Sequence, residues 1–110
     1  MRVLRFIVDK QIIKQDPDCD FTELVPGSEG YLQAQFSFSP EWKGFAKVAS
    51  FYSTMDREYE PQILKDGKTC SIPAEASKRT QFKIKIVGKN NYGMKLTTNA
   101  VEVNQNGGTV

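Results

Sequence analysis

The chain predicts an all-β fold, a two-sheet antiparallel sandwich of about seven strands with one short helical turn. Segments 31–38 and 80–88 alternate apolar and polar residues with the period of a half-buried strand. Turn-forming residues recur between strand-like segments about every eight to twelve positions. No segment has room for a long helix, and 110 residues hold one core and one domain. That domain is expected to span 1–103, with a flexible Asn- and Gly-rich tail over 104–110.

Strands are expected at about 2–8, 10–15, 30–38, 45–53, 60–65, 68–72, 80–88 and 93–103. Between the second and third lies the longest irregular stretch, 15–30, which holds Asp16-Pro17-Asp18-Cys19-Asp20 and predicts a mobile acidic tip. In 31–38, Leu32, Ala34, Phe36 and Phe38 share one face and Tyr31, Gln33, Gln35 and Ser37 the other. Pro40 then removes a donor and Gly44 permits positive φ, so this strand ends in a turn bearing Trp42, the only tryptophan. Asp66-Gly67 is a hairpin signal, and Gly88-Lys89-Asn90-Asn91 with Gly93 marks another turn. Pro73-Ala74-Glu75-Ala76-Ser77 favours a helical turn leading from one sheet to the other.

The expected core is Leu4, Phe6, Leu32, Ala34, Phe36, Phe38, Ala49, Phe51, Ile72, Phe82, Ile84 and Ile86. Trp42 reads as a cap on this core at a strand connection, with an interface hot spot as the alternative.

Composition narrows the chemistry. The chain has no histidine, which removes the usual general base, the Ser-His and Cys-His nucleophile pairs and the commonest metal ligand. Phosphate-cradling glycine loops, Cys-x-x-Cys pairs and nucleophile elbows are missing. Asp16, Asp18 and Asp20 alternate like calcium ligands, but Pro17 and the lack of the later Gly and Glu favour a solvated loop. Glu58 and Glu60 read as the outer face of an edge strand rather than a catalytic pair. The protein is therefore expected to be no enzyme and to need neither cofactor nor metal. Cys19 and Cys70 are expected to be free thiols.

The formal net charge is +2, from 15 basic and 13 acidic residues, too small for general attraction to a polyanion. Arg5, Asp9 and Lys10 interrupt the apolar start, so neither a signal peptide nor a membrane-inserting helix fits, and a soluble chain made in a cytoplasm is expected. Lys78, Arg79, Lys83, Lys85, Lys89 and Lys95 gather without intervening acids near Tyr92, the pattern of a nucleic-acid groove. The commoner meaning of alternate lysines on a strand is a solubilised face, which makes nucleic acid the weaker partner. A rigid sandwich binds through sheet edges and end loops. The aromatic candidates for such a surface are Phe45, Tyr52, Tyr59 and Tyr92, joined by Lys83 and Lys85.

One ordered set of motifs goes further. It comprises the run Leu24-Val25-Pro26-Gly27-Ser28-Glu29-Gly30-Tyr31-Leu32, then Phe36-Ser37-Phe38-Ser39-Pro40-Glu41-Trp42-Lys43-Gly44, and then Lys47-Val48-Ala49-Ser50-Phe51. Cys70-Ser71-Ile72-Pro73-Ala74-Glu75, the strand 82–88, and Thr97-Thr98-Asn99 leading to Val101-Glu102-Val103 follow. Over about residues 20–103 this resembles a family of small bacteriophage proteins with an immunoglobulin-like β-sandwich, similar to the N-terminal domain of phage upper baseplate proteins. The resemblance implies a virion-associated tail or baseplate module, made in the host cytoplasm, that binds other phage structural proteins or itself. The alternative it leaves open is a small phage inhibitor of a host defence or nuclease complex, for which the acidic loop 16–20 would imitate phosphate. A nucleic-acid-binding module is the third reading.

Overall fold

The computed structural model describes residues 1–105, and residues 106–110 of the expected tail lie outside them. Alternation along strand β1 (Arg2–Asp9) buries Leu4, Phe6 and Val8. A turn with Lys10 at φ 56° reverses the chain into β2 (Ile12–Gln15), which pairs antiparallel with β1. Strand β3 (Leu32–Phe38) then lies beside β1 in parallel, from Arg2 opposite Leu32 to Val8 opposite Phe38. This ladder departs from the all-antiparallel expectation. The long connection before β3 carries the chain back to the start of β1, as parallel pairing requires. The register sets Leu4 beside Ala34 and Phe6 beside Phe36, whose rings stack at 5.4 Å between centroids.

That connection is tied to β1 by hydrogen bonds and packing. Arg2 Nη2 donates to the carbonyls of Asp20 (2.9 Å) and Thr22 (2.7 Å), and Arg5 Nη2 donates to that of Asp18 (3.1 Å). Phe21 meets the Phe6 ring edge-on, and Leu24 is buried. The aspartates are used locally: Asp16 accepts the Asp18 N–H and pairs with Arg5, while Asp20 accepts from Thr22. The hydrogen bonds from Thr22 hold the Asp20 carboxyl below its ordinary pKa. No metal-holding group of three or more acidic or cysteine side chains occurs among the described residues.

After a single 3-10 turn (Pro40–Trp42), β4 (Ala46–Tyr52) opens the second sheet and β5 (Gln62–Ile63) forms its edge. Asp66 and Gly67 have φ of 51° and 73°, the two positive values of the expected type I′ turn. The hairpin they close crosses between sheets, because β6 (Thr69–Ser71) pairs with β3 in the first sheet. Helix α1 (Ala74–Ser77) forms where Pro73 predicts it. Strand β7 (Gln81–Lys89) then runs through the second sheet beside β4.

The expected strand 93–103 is two strands, β8 (Lys95–Thr97) and β9 (Val101–Asn104), both paired to β7. Thr98 and Asn99 cause the break. The Thr98 Oγ1 accepts the Ile86 N–H at 3.0 Å, and Asn99 Oδ1 reaches across to the Ile13 N–H at 2.8 Å. Asn99 thus stitches the open edge of β2 to the other sheet, and Gln15 Nε2, donating to the Glu102 carbonyl, continues the seam. Among the described residues the sandwich has nine strands, in sheets ordered β2-β1-β3-β6 and β5-β4-β7-β8 with β9 also on β7.

All the expected core residues are buried except Phe38, which packs half-buried against Trp42. Val8, Ile13, Leu24, Tyr59, Leu64, Cys70, Ala76 and Val103 join them. Trp42 is fully buried, and its Nε1–H donates to the Lys10 carbonyl at 2.7 Å, so it caps the core. Gly88, expected both at the end of strand 80–88 and in a turn signal, lies inside β7 under the Trp42 ring, and the turn itself is 90–93.

The boundary at 103 also shifts. Asn104 belongs to β9, and Gln105 is fully buried, its Nε2 donating to the carbonyls of Ser77 (2.8 Å) and Arg79 (2.9 Å). Gln105→Ala leaves both acceptors short of a donor and is expected to cost about 1–3 kcal/mol in urea unfolding. A neutral result would place Gln105 in a loose tail.

Both cysteines are free, and burial pushes the Cys70 thiol up to about 12. Cys19 sits at the edge of β1, half-buried, with its sulfur accepting the Arg5 N–H. A thiol reagent is expected to modify Cys19 in the native protein and Cys70 only as the protein unfolds, about 100-fold or more slower. Equal rates would contradict the burial of Cys70.

Candidate functional site

The outward positions of the second sheet assemble the site. Along β7 they are Lys83, Lys85, Val87 and Lys89, and along β4 they are Tyr52, Ser50, Val48 and Ala46, opposite them in that order. Ile63 stands opposite Val48 on the far side, so Ile63, Val48 and Val87 form an apolar row across three strands. Ile63 is 77% exposed at its end. Lys89 and Lys95 face each other across β7 and β8 on one flank of the row, a like-charge pair that costs stability in a sheet. On the other flank lie Lys85, Tyr52 and Lys83, with Glu102 beyond.

Tyr52, Lys83 and Lys85 are thus brought together. The Lys85 ammonium lies 5.2 Å from the centre of the Tyr52 ring, a cation-π contact. Lys83 pairs with Asp56, and these two residues, with Tyr52, Lys85 and Ala100, line a shallow cleft of about 200 Å³. The hydrogen bond from Lys83, and then its charge, hold the Asp56 carboxyl below its ordinary pKa. A carboxyl with a lowered folded pKa stabilises at neutral pH, and that contribution is lost as pH falls through the folded value. Asp56→Asn is therefore expected to lower the Tm slightly at pH 7 and to match wild type in strong acid. A gap that widens towards acid would contradict the ion pair.

The other candidates lie elsewhere. Phe45 is half-buried against Trp42, at 6.0 Å between ring centroids. Tyr59 is buried with the core cluster, apart from this face, and its backbone N–H bonds the Phe51 carbonyl. Tyr92 is 93% exposed, alone at the tip of the turn joining β7 to β8. Glu58 and Glu60 are exposed on either side of Tyr59, and Glu58 lies opposite Tyr52 in an isolated bridge.

Sequence reasoning missed the apolar row. Its one visible sign is Val87, the apolar residue in the register that otherwise carries Gln81, Lys83 and Lys85. Ile63 gives no such sign, since only the crossing hairpin decides which sheet it joins.

A larger cleft, about 500 Å³, lies away from this face, with Phe38, Lys43, Lys47 and Lys68 among its walls. Lys47 is occupied there, its ammonium over the Phe38 ring and donating to the Phe45 carbonyl. The outer sheet face sets an apolar centre beside cations, an arrangement that can pack against apolar and acidic groups. Among the described residues no helix is long and apolar enough to cross a membrane. Comparison of the chain with protein-family models, with curated proteins and with solved structures finds no match.

Proposed function

We propose that the protein is a non-enzymatic contact module, a structural or assembly subunit of a phage tail, baseplate or virion. It binds a neighbouring protein subunit through the outer face of the β5-β4-β7 sheet. The observation that carries the contact role is the row of exposed Ile63 and half-buried Val48 and Val87 beside Lys85 and the Lys89–Lys95 pair. Lys85, Lys89 and Lys95 have no ion-pair partner among the described residues, so the face suits carboxylates around an apolar centre. The phage setting rests on the motif resemblance over about residues 20–103.

Mass spectrometry of purified phage particles is expected to recover the chain at a copy number like that of other particle proteins. Its absence from them overturns the structural reading in favour of an inhibitor of a host target.

A further inference from the structure

A cavity of about 370 Å³ opens where the connection between β4 and β5 meets α1, lined by Arg57, Tyr59, Glu75, Lys78 and Arg79. Tyr59 is 8% exposed, and its hydroxyl is buried with no hydrogen-bond partner among the described residues. Buried hydroxyls are nearly always paired, so an orphan on the wall of a cationic cavity points to an acceptor from outside the chain.

The cations converge from two distant segments, and their backbones are fixed. Arg57 N–H donates to Ser53 Oγ at 3.1 Å, and its carbonyl accepts the Ser53 N–H at 2.9 Å. Arg79 N–H donates to the Ala76 carbonyl at 3.0 Å, while the Arg79 carbonyl accepts from Gln105 at 2.9 Å. Lys78 is engaged by Glu29 at 2.7 Å. Neither Arg57 nor Arg79 has an ion-pair partner among the described residues, and together they exceed the single charge of Glu75.

We propose that this cavity binds a phosphoryl group, with Arg57 and Arg79 as guanidinium clamps and the Tyr59 hydroxyl as a third donor. Guanidinium forks match the oxygens of a phosphoryl group in pairs. Three donors arriving from two segments suit a tetrahedral anion better than a planar carboxylate. None of the lining residues belongs to the Ile63, Val48, Val87 row, so this site and the contact face fail independently.

Calorimetric titration of the full chain with inorganic phosphate, and separately with phenyl phosphate, is the test, run against sodium chloride at matched ionic strength. Saturable binding is expected, and it is abolished in R57Q/R79Q. Tyr59→Phe removes one oxygen, folds at least as stably in chloride and is expected to weaken binding about tenfold. Tighter binding of phenyl phosphate identifies a phosphorylated group as the natural ligand, and tighter binding of inorganic phosphate identifies the free ion. No saturable heat, or undiminished phosphate binding by Tyr59→Phe, overturns the proposal, and the second outcome holds even if the double variant does not fold.

Discussion

Trp42→Ala is expected to lower the stability by about 3–5 kcal/mol, a large part of the roughly 5–15 kcal/mol that holds a domain folded. The side chain is fully buried, with the Phe38 and Phe45 rings 5.4 and 6.0 Å away between centroids. It also ties together two turns at the end of the fold it caps. Its Nε1–H bonds the Lys10 carbonyl in the β1–β2 turn, and Ser39, three residues earlier, accepts the Lys10 N–H at 2.8 Å. Trp42→Phe keeps most of the apolar volume and loses that bond, so it should cost less, about 1–3 kcal/mol. Urea unfolding monitored by far-UV circular dichroism measures both. A Trp42→Ala cost below about 1 kcal/mol would mean that the indole does not cap the core.

Gly88→Ala is expected to cost about 1–3 kcal/mol, at the upper end of that range, by overpacking. A Cβ at this position would lie 2.9 Å from Trp42 Cζ3 and 3.3 Å from Phe45 Cβ and Cδ2. These atoms belong to a buried indole and a half-buried ring, so they cannot swing away as the end of a lysine would. Gly88 has no positive φ, which makes the cost steric rather than conformational. In a Trp42→Ala background the closest obstacle is gone and only the Phe45 contacts at 3.3 Å remain, so the added methyl should cost clearly less. Full additivity of the two substitutions would contradict the contact.

Gly88 also shows where the sequence was legible and where it was not. Alternation marked β3 and β7 because each presents one face to the core, and the Asp66-Gly67 turn was readable because its positive φ values demand those residue types. Gly88 was readable as the end of strand 80–88, but its close approach to an indole from elsewhere in the chain was not, because no local pattern encodes that contact. The parallel β1–β3 ladder depends on the path of the connection before β3, held by Arg2 and Arg5 bonds to loop carbonyls that no local pattern encodes. Gln105 was hidden for a similar reason: a polar residue beside a Gly-rich tail is buried only because Ser77 and Arg79 offer carbonyls there.

The candidate surface was legible in part. Tyr52, Lys83 and Lys85 fall together because β4 and β7 are neighbours in the register that their patterns imply. Tyr59 lies two residues after Arg57 in a segment with little alternation, so its inward turn was not readable. Charge reversal at Lys85 and Lys89 together is expected to weaken the partner contact at least about tenfold while leaving the fold intact, because both project away from the core.

Lysine acetylation footprinting of purified phage particles, compared with the isolated chain, tests the contact face most directly. Lys85, Lys89 and Lys95 are expected to be protected in the particle, while Lys14 on the opposite sheet keeps its reactivity. Equal reactivity of all four in both states, or no chain in the particles, would contradict the account.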